Sequence, residues 1–285
     1  IRWTDEALGK NPFHGPLLML MLCCSPFFFL AGAVVMSDGL AIFWSMAGMW
    51  MAWRYRRDGK VLHLCLATVM VGAGIMTRYA MVPLLLVPGL HTAWVMLRKR
   101  DWLHFMVLPL ALLPALPELL LVPGGLPSPA HPTAKAWDLL NLFRSELTHL
   151  DGHNQFEQMN LFFILQIFCH PGFLGAGLLT WLGVVLHRRQ LPDVAWVDGL
   201  LPILPCLVFL GGLPFQNDRF LLPMLPLLVL CLLPFAAALL QTPRWRIGIL
   251  AVVVPAQAFL VWRATLPSRA NNELHQKMVA ELLAH

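Results

Sequence analysis

The chain has 285 residues, of which 58% are hydrophobic and only 12% carry a charge. A soluble domain of this composition would expose far more apolar surface than soluble proteins carry, so the composition excludes an ordinary soluble protein. The formal net charge is +5, but the basic residues are scattered and form no single stripe, which argues against nucleic-acid binding. A lipid bilayer is therefore the predicted environment.

Nine apolar stretches follow one another along the chain, and several have the length of about 20 residues that a spanning helix needs. They are 16–36, 38–53, 61–76, 80–97, 102–123, 161–186, 195–215, 220–240 and 247–262. A bilayer offers no water to free backbone groups, so each stretch is predicted to be helical. The predicted fold class is an all-α, polytopic transmembrane helical bundle of about nine spans.

The spacing of the stretches predicts five segments. They are a cytoplasmic lead at 1–15, a first transmembrane bundle of five spans at 16–123, an outer loop at 124–160, a second bundle of four spans at 161–262, and an outer C-terminal segment at 263–285. In the loop, Trp137, Leu140 and Phe143 recur at helical spacing, which predicts a short helix on the membrane surface. The stretch 161–186 is broken by His-Pro-Gly at 170–172, so its first part can lie flat at the interface.

The basic residues give the orientation, because they collect in short loops on one side of the predicted bundle. Thirteen of the 20 lysines and arginines fall in one alternate set of segments: Arg2, Lys10, Arg54, Arg56, Arg57, Lys60, Arg98, Lys99, Arg100, Arg188, Arg189, Arg244 and Arg246. Such segments are cytoplasmic in membrane proteins. The N-terminus is therefore predicted inside and, with nine spans, the C-terminus outside.

Three charged residues then lie at the predicted outer face, each at a turn next to a span. Asp38 opens the second span, where it can also simply cap the helix. Arg78, followed by Tyr79, is a lone cation between the third and fourth spans, and its alternative is a snorkelling interfacial arginine. Arg219, preceded by Asn217, opens the eighth span, and its alternative is a local surface arrangement with Asp218.

A fourth polar feature of the outer side is the loop segment 149–154. His149, Asp151 and His153 could together bind a divalent metal. No further ligand stands at a recognisable spacing, so a solvated loop is the alternative, and the metal requirement stays unknown. Because long outer loops are usually functional, we expect this segment to border the entrance for an acceptor rather than to hold a structural metal.

An acid and two arginines at one membrane face suit a specific chemistry. Guanidinium groups can grip the phosphate of a lipid-linked donor whose tail lies in the bilayer, and they stabilise the charge that develops as phosphate leaves. A carboxylate can take a proton from an incoming acceptor hydroxyl. Anion transporters also use arginines at this face, so the arrangement alone does not define an enzyme.

The order of these motifs resembles the C-type integral-membrane glycosyltransferases (GT-C fold), in particular the protein mannosyltransferase and aminoarabinose transferase group. The resemblance covers roughly 16–100 and 200–262. It is carried by SPFFFLAGAVVMSDGLAIFWSMAGMWMAWRYRR, VGAGIMTRYAMVPLLLVPG and NDRFLLPMLPLLVL. It implies catalysis by Asp38 and binding of the donor phosphate by Arg78, Arg219, Tyr79 and Asn217. It also implies a polyprenyl-phosphate-sugar donor and no certain cofactor, with a divalent metal left open.

One departure from the family pattern concerns the signature acid, which the family carries in a first outer loop after its first span. No such acid precedes the lead IRWTDEALGK, and Asp5-Glu6 falls on the cytoplasmic side. The sequence is thus interpreted as a member that lacks two N-terminal spans and the loop with the catalytic base. Such a fragment can be inactive by itself.

The resemblance implies transfer of a sugar, with inversion, from a polyprenyl-phosphate donor to a glycan, lipid or protein acceptor at the outer membrane face. The alternatives are a transporter or flippase of lipid-linked sugars and a non-catalytic assembly subunit. No internal repeat is visible and the charges lie near one face, which favours the enzyme over a transporter. The expected location is a multi-pass position in the bacterial inner membrane, with the endoplasmic reticulum as the alternative.

Overall fold

A computed structural model describes most of the chain in two parts, which are called the N-terminal half and the C-terminal half below. The N-terminal half comprises residues 2–8, 10–33, 37–99 and 102–116. The C-terminal half comprises residues 137–149, 152–187, 194–214, 216–241, 243–244, 247–248, 251–252, 254–260 and 262–263. The predicted loop start at 124–136, Asp151 and the predicted outer segment beyond 263 lie outside the described residues.

Helices make up nearly all of the N-terminal half. In chain order they are α1 (Arg2–Leu8), α2 (His14–Cys24), α3 (Pro26–Ala33), α4 (Ser37–Asp58), α5 (Val61–Thr77), a 3-10 helix (Tyr79–Leu85) that runs into α6 (Leu86–Lys99), and a 3-10 helix (Trp102–Ala115). Prolines explain the 3-10 segments. Pro83, Pro109 and Pro114 lie inside them and remove the backbone donors that an α-helix would use.

The C-terminal half combines helices with one small hairpin. In chain order it contains a 3-10 helix (Leu139–Phe143), β1 (Glu146–His149), β2 (Gly152–Gln155), α7 (Asn160–Cys169), a 3-10 turn (Pro171–Phe173), α8 (Ala176–His187), a π-helix (Val194–Leu200), α9 (Leu201–Gly211), two 3-10 turns (Asp218–Phe220 and Leu222–Met224) and α10 (Leu225–Leu240). The strands are antiparallel, with Glu146 opposite Gln155 and His149 opposite Gly152.

The core forms where α10 enters the bundle and where α4 packs against α5. Nearly every side chain from Leu221 to Leu233 is shielded by its neighbours. On the other side, α4 approaches α5 closely at Gly48, where an added Cβ would lie 2.7 Å from Val71 Cγ2 and 2.9 Å from the Ala67 carbonyl oxygen. This contact makes α4 and α5 a rigid pair, whose two ends matter for the sites described below.

The second part of the predicted outer loop docks onto the C-terminal end of α9. The last carbonyls of a helix have no partner within it, and side chains from this segment supply the donors. Trp137 Nε1 donates to the Phe209 oxygen at 2.9 Å, and Asn141 Nδ2 donates to the Gly212 oxygen at 2.9 Å. The buried Asn160 donates from Nδ2 to the oxygens of residues 211 and 213, at 3.0 and 2.8 Å.

The helical class predicted from the sequence is confirmed, while the number of spans is not. Among the described residues, two helices are long and apolar enough to cross a membrane, Ala80–Lys99 and Asp218–Ala238. The break predicted at 170–172 is present, because α7 ends at Cys169 and a 3-10 turn follows. The helix predicted around Trp137 is reduced to the five-residue 3-10 helix, and the hairpin after it was not predicted.

Candidate functional site

Asp38, Arg78 and Arg219 form one ion cluster, called the Asp38 cluster below. Asp38 lies in the first turn of α4, with 4% of its side-chain surface exposed. Arg78 directly follows α5 and spans both carboxylate oxygens, with Nε 2.7 Å from Oδ1 and Nη2 3.0 Å from Oδ2. Arg219 reaches the same carboxylate from the C-terminal half, with Nε 2.9 Å and Nη2 2.8 Å from Oδ2.

Local structure explains why these three side chains meet. The positive N-terminal end of α4 favours a carboxylate at Asp38. Thr77 ends α5, and the next residue adopts an extended backbone that turns the chain into the following 3-10 helix. Arg219 lies in a 3-10 turn that the side chain of Asn217 caps, because Asn217 Oδ1 accepts a hydrogen bond from the Arg219 backbone N–H at 3.0 Å.

The Asp38 cluster keeps an excess of positive charge and an open side. Two guanidinium groups face one carboxylate, so one positive charge is not balanced within the cluster. The Arg219 side chain is 37% exposed, and the Arg78 guanidinium carbon lies 5.9 Å from the centre of the buried Phe220 ring. A guanidinium group has five N–H donors, so both arginines retain donors for a further anion. The arrangement can therefore receive a phosphate or carboxylate from the exposed side.

The remaining residues predicted for the site are less well placed. Asn217 is exposed and its side-chain oxygen caps the 3-10 turn, so it supports Arg219 through the backbone. Tyr79 begins the 3-10 helix after Arg78, but its side chain is not among the described ones. His149 and His153 lie on the two strands of the hairpin, and their side chains are likewise not described. The described residues contain no group of three or more His, Cys, Asp or Glu side chains that could hold a metal ion.

A second buried ion cluster was missed from the sequence. Asp198, which is fully buried, accepts a hydrogen bond at Oδ2 from Arg56 Nη2 at 2.7 Å. His91 Nε2 lies 3.0 Å from Asp198 Oδ1, and His91 is 3% exposed. We call these three residues the Asp198 cluster. The sequence did carry a signal for it, because Asp198 and His91 are ionisable residues within apolar stretches, where such residues are costly and usually paired.

Both clusters are anchored on α4. Asp38 stands at the beginning of α4 and Arg56 stands near its end. At 1.5 Å per residue the two positions are about 27 Å apart. Each cluster also takes one member from the C-terminal half, Arg219 in the first and Asp198 in the second. Opposite charges therefore join the two halves at both ends of one helix.

A second contact near the end of α4 fixes α1 to the bundle. Glu6 accepts hydrogen bonds from Arg54 at both carboxylate oxygens, each at 2.9 Å, and one of these oxygens also accepts from Trp50 Nε1 at 3.3 Å. The Arg54 guanidinium carbon lies 5.0 Å from the centre of the Trp50 ring. Glu6 therefore pairs with a basic residue at the end of α4 opposite to Asp38, and it does not take part in the Asp38 cluster.

Comparison with known proteins supports the resemblance described above. Residues 2–122 match the family model of the dolichyl-phosphate-mannose-protein mannosyltransferases. The match includes Asp38 and Arg78 and ends before Arg219. No curated protein and no solved structure matches the chain. The resemblance to the mannosyltransferase group is thus confirmed over residues 2–122, and it indicates glycosyl transfer as the general class of activity.

Proposed function

We propose that the protein is a membrane glycosyltransferase that moves a sugar from a polyprenyl-phosphate donor to an acceptor at the outer membrane face, with inversion. The observation that carries this proposal is the Asp38 cluster, in which two arginines from different parts of the chain converge on one carboxylate. The family match over residues 2–122 supports glycosyl transfer, and the excess positive charge of the cluster supports an anionic donor.

The two arginines would hold the donor phosphate. Planar guanidinium groups bind phosphate through paired hydrogen bonds, and Arg219 is the more accessible of the two. A polyprenyl tail would remain in the bilayer while the phosphate reaches the end of α4 at which Asp38 lies. As the bond from the sugar to phosphate breaks, negative charge grows on the phosphate oxygens, and the arginines stabilise that charge.

Asp38 would orient the arginines. Its two oxygens contact four guanidinium nitrogens, two from each arginine, at 2.7 to 3.0 Å. The acceptor positions of the carboxylate are therefore occupied. Held in this way, Arg78 and Arg219 present their free donors in a fixed direction before the donor arrives. Such preorganisation lowers the cost of binding, because the arginine side chains are already ordered.

Binding of polyprenyl phosphate to purified variants tests the assignment of Arg219. A charge-assisted bond of this kind contributes roughly 1.5–3 kcal/mol. Arg219→Ala is therefore expected to weaken binding by about ten- to a hundred-fold. Arg219→Lys keeps the charge but loses the planar fork, so it should have a smaller effect. Arg144→Ala removes an exposed arginine that pairs with Asp138 at 3.5 Å and donates to Asn141 Oδ1 at 3.4 Å, and serves as the matched control.

The outcomes separate the candidate functions. Equal affinity for wild type and Arg219→Ala would remove Arg219 from the donor site. Binding of polyprenyl-phosphate-mannose without any transfer of mannose in membranes would favour the flippase or the assembly subunit over the enzyme. The acceptor side, including the proposed role of the segment 149–154, needs a separate test. Replacing His149, Asp151 and His153 together by Ala should lower transfer while leaving donor binding unchanged.

A further inference from the structure

Arg219 belongs to the Asp38 cluster, but no long helix holds its backbone. It lies in a 3-10 turn of three residues, Asp218–Phe220. The chain after this turn is fixed, because the side chains of 221–224 are buried. Before the turn, α9 ends at Gly211, and no described residue between the two is helical. Contacts from another segment must therefore hold the chain that leads into the Arg219 turn.

Asn160, the first residue of α7, supplies one set of these contacts. Its side chain is fully buried. Its Nδ2 donates to the Gly211 carbonyl oxygen at 3.0 Å and to the Leu213 carbonyl oxygen at 2.8 Å. A side-chain amide nitrogen carries two N–H groups, and the two carbonyls use both of them. Asn160 therefore fixes the chain at the point where it leaves α9.

A second contact from the same segment lies closer to Arg219. Gln216 Nε2 donates to the Gln158 carbonyl oxygen at 2.7 Å. The next residue, Asn217, accepts the Arg219 N–H at 3.0 Å, and the guanidinium group of Arg219 then reaches the Asp38 cluster. We call the hydrogen bonds of Asn160 and Gln216 the Asn160 clamp. The clamp holds the chain on the N-terminal side of the Arg219 turn.

The segment that provides the clamp is itself anchored at the base of the hairpin. The Asn160 backbone N–H donates to the Arg144 carbonyl oxygen at 3.1 Å, and the Phe156 N–H donates to the Ser145 carbonyl oxygen at 2.9 Å. These bonds join the chain before β1 to the chain after β2. The second part of the predicted outer loop is therefore a folded support for the Arg219 turn.

We propose that Asn160 and Gln216 are positioning residues of the donor site, which act on Arg219 through the backbone. This inference rests on the proposed function, in which Arg219 binds the donor phosphate. With the clamp in place, the Arg219 turn is ordered before the donor arrives. Without the clamp the turn samples more positions, and binding must then supply the cost of ordering it. Neither positioning residue needs to touch the donor.

Binding of polyprenyl phosphate to purified variants, normalised to the folded fraction, tests this proposal. Asn160→Leu and Gln216→Met keep similar side-chain volumes, remove the N–H donors and introduce no charge. Each is expected to lower the affinity by about three- to tenfold. This loss is smaller than that expected for Arg219→Ala, because the guanidinium group is still present. Gln216→Met removes one half-buried bond, so it carries the test if Asn160→Leu folds poorly.

A double-mutant cycle separates positioning from a general structural role. If the clamp acts through Arg219, Asn160→Leu and Gln216→Met should cause no further loss of affinity in an Arg219→Ala background. A general weakening of the fold would lower the affinity by the same factor in both backgrounds. Equal factors in the two backgrounds would therefore overturn the proposal.

Asn141→Leu is the matched control. Asn141 is buried and its Nδ2 donates to the Gly212 carbonyl oxygen at 2.9 Å, at the same end of α9. That carbonyl also accepts the Asp138 backbone N–H at 3.1 Å, so the chain stays attached when Asn141 is replaced. Asn141→Leu should lower stability but leave the affinity of the folded fraction unchanged.

The remaining outcomes distinguish this inference from the proposed function. Wild-type affinity in both Asn160→Leu and Gln216→Met, or an equal loss in Asn141→Leu, would overturn the positioning role alone. In that case Arg219→Ala would still bind polyprenyl phosphate more weakly than wild type, and the donor site would stand. Absence of polyprenyl-phosphate binding in wild type would overturn the proposed function together with this inference.

Discussion

The two ion clusters of α4 have similar chemistry but different surroundings. The Asp198 cluster is closed, because its acid is fully buried and His91 is 3% exposed. One arginine balances one carboxylate there when His91 is neutral. The Asp38 cluster is open, because Arg219 is 37% exposed, and it has two arginines for one carboxylate. The difference indicates that the closed cluster holds helices together, whereas the open cluster retains charge for a ligand.

Loss of the Asp198 cluster should lower the free energy of unfolding more than loss of the Asp38 cluster. Asp198→Asn leaves the partly buried guanidinium group of Arg56 without its counter-ion, which costs up to roughly 3–5 kcal/mol. Asp38→Asn should cost less, because Arg219 can turn towards water. Thermal or denaturant unfolding in detergent micelles measures both, and Asp58→Asn at the same end of α4 provides an exposed control. A loss for Asp38→Asn as large as that for Asp198→Asn would contradict this division of roles.

Loss of the Asp38 cluster should lower the affinity for polyprenyl phosphate more than loss of the Asp198 cluster. Asp38→Asn removes the shared anchor of Arg78 and Arg219, so the affinity for polyprenyl phosphate should fall by about tenfold. Asp198→Asn should leave the affinity of the folded fraction nearly unchanged, because the Asp198 cluster lies about 27 Å away along α4. Binding to reconstituted protein, normalised to the folded fraction, checks both values. Equal losses in the two variants would show that the clusters are coupled.

Salt concentration should affect the two clusters differently, with a smaller effect than the substitutions above. Mobile ions screen exposed charges, and the screening length shortens from about 10 Å at 0.1 M salt to about 3 Å at 1 M salt. Polyprenyl-phosphate binding at Arg219 should therefore weaken several-fold over this range. The stability difference between wild type and Asp198→Asn should change little, because those charges are shielded by protein. A strong salt dependence of that stability difference would mean that water reaches Asp198.

The smallest expected effect concerns Asp58, the last residue of α4. Partial burial raises the pKa of Asp58, but hydrogen bonds from the Lys60 N–H and His63 and the charges of both residues outweigh it, so the pKa is lowered overall. The folded state thus binds this proton less tightly than the unfolded chain. The stabilisation is present above the unfolded pKa and is lost as pH falls through the folded pKa. Unfolding of wild type and Asp58→Asn between pH 3 and 6 (about the carboxylate range) should show a slightly steeper acid loss for wild type.

Helix positions were predictable from hydrophobicity, whereas helix type and tertiary pairing were not. The predicted stretches 38–53 and 61–76 correspond closely to Ser37–Asp58 and Val61–Thr77. The 3-10 form of 102–115 depends on how the chain accommodates Pro109 and Pro114, which periodicity does not reveal. The hairpin was missed because its strands are only four residues long, although Asp151-Gly152 is a dipeptide typical of hairpin turns.

The candidate site was predictable in part from the positions of charged residues relative to the predicted helices. Asp38, Arg78 and Arg219 were grouped because each is a charge at one predicted membrane face, and the structure brings them into contact. Which acid the second arginine selects was beyond the sequence, since Asp218 and Asp38 were equally available to Arg219. Asp198 and Arg56 are separated by more than a hundred residues, so only the folded arrangement of helices reveals their pairing.

The order of charges along α4 also constrains how the chain is assembled. This helix carries Asp38 at its beginning and the partly buried Arg56 near its end, and the C-terminal half presents the complementary order of charges. If that half were inserted upside down, Arg219 would approach Arg56 and Asp198 would approach Asp38. Like charges would then meet at low dielectric at both ends of α4, at a cost of several kcal/mol. The order of charges along α4 therefore allows the C-terminal half to pack against this helix in only one orientation.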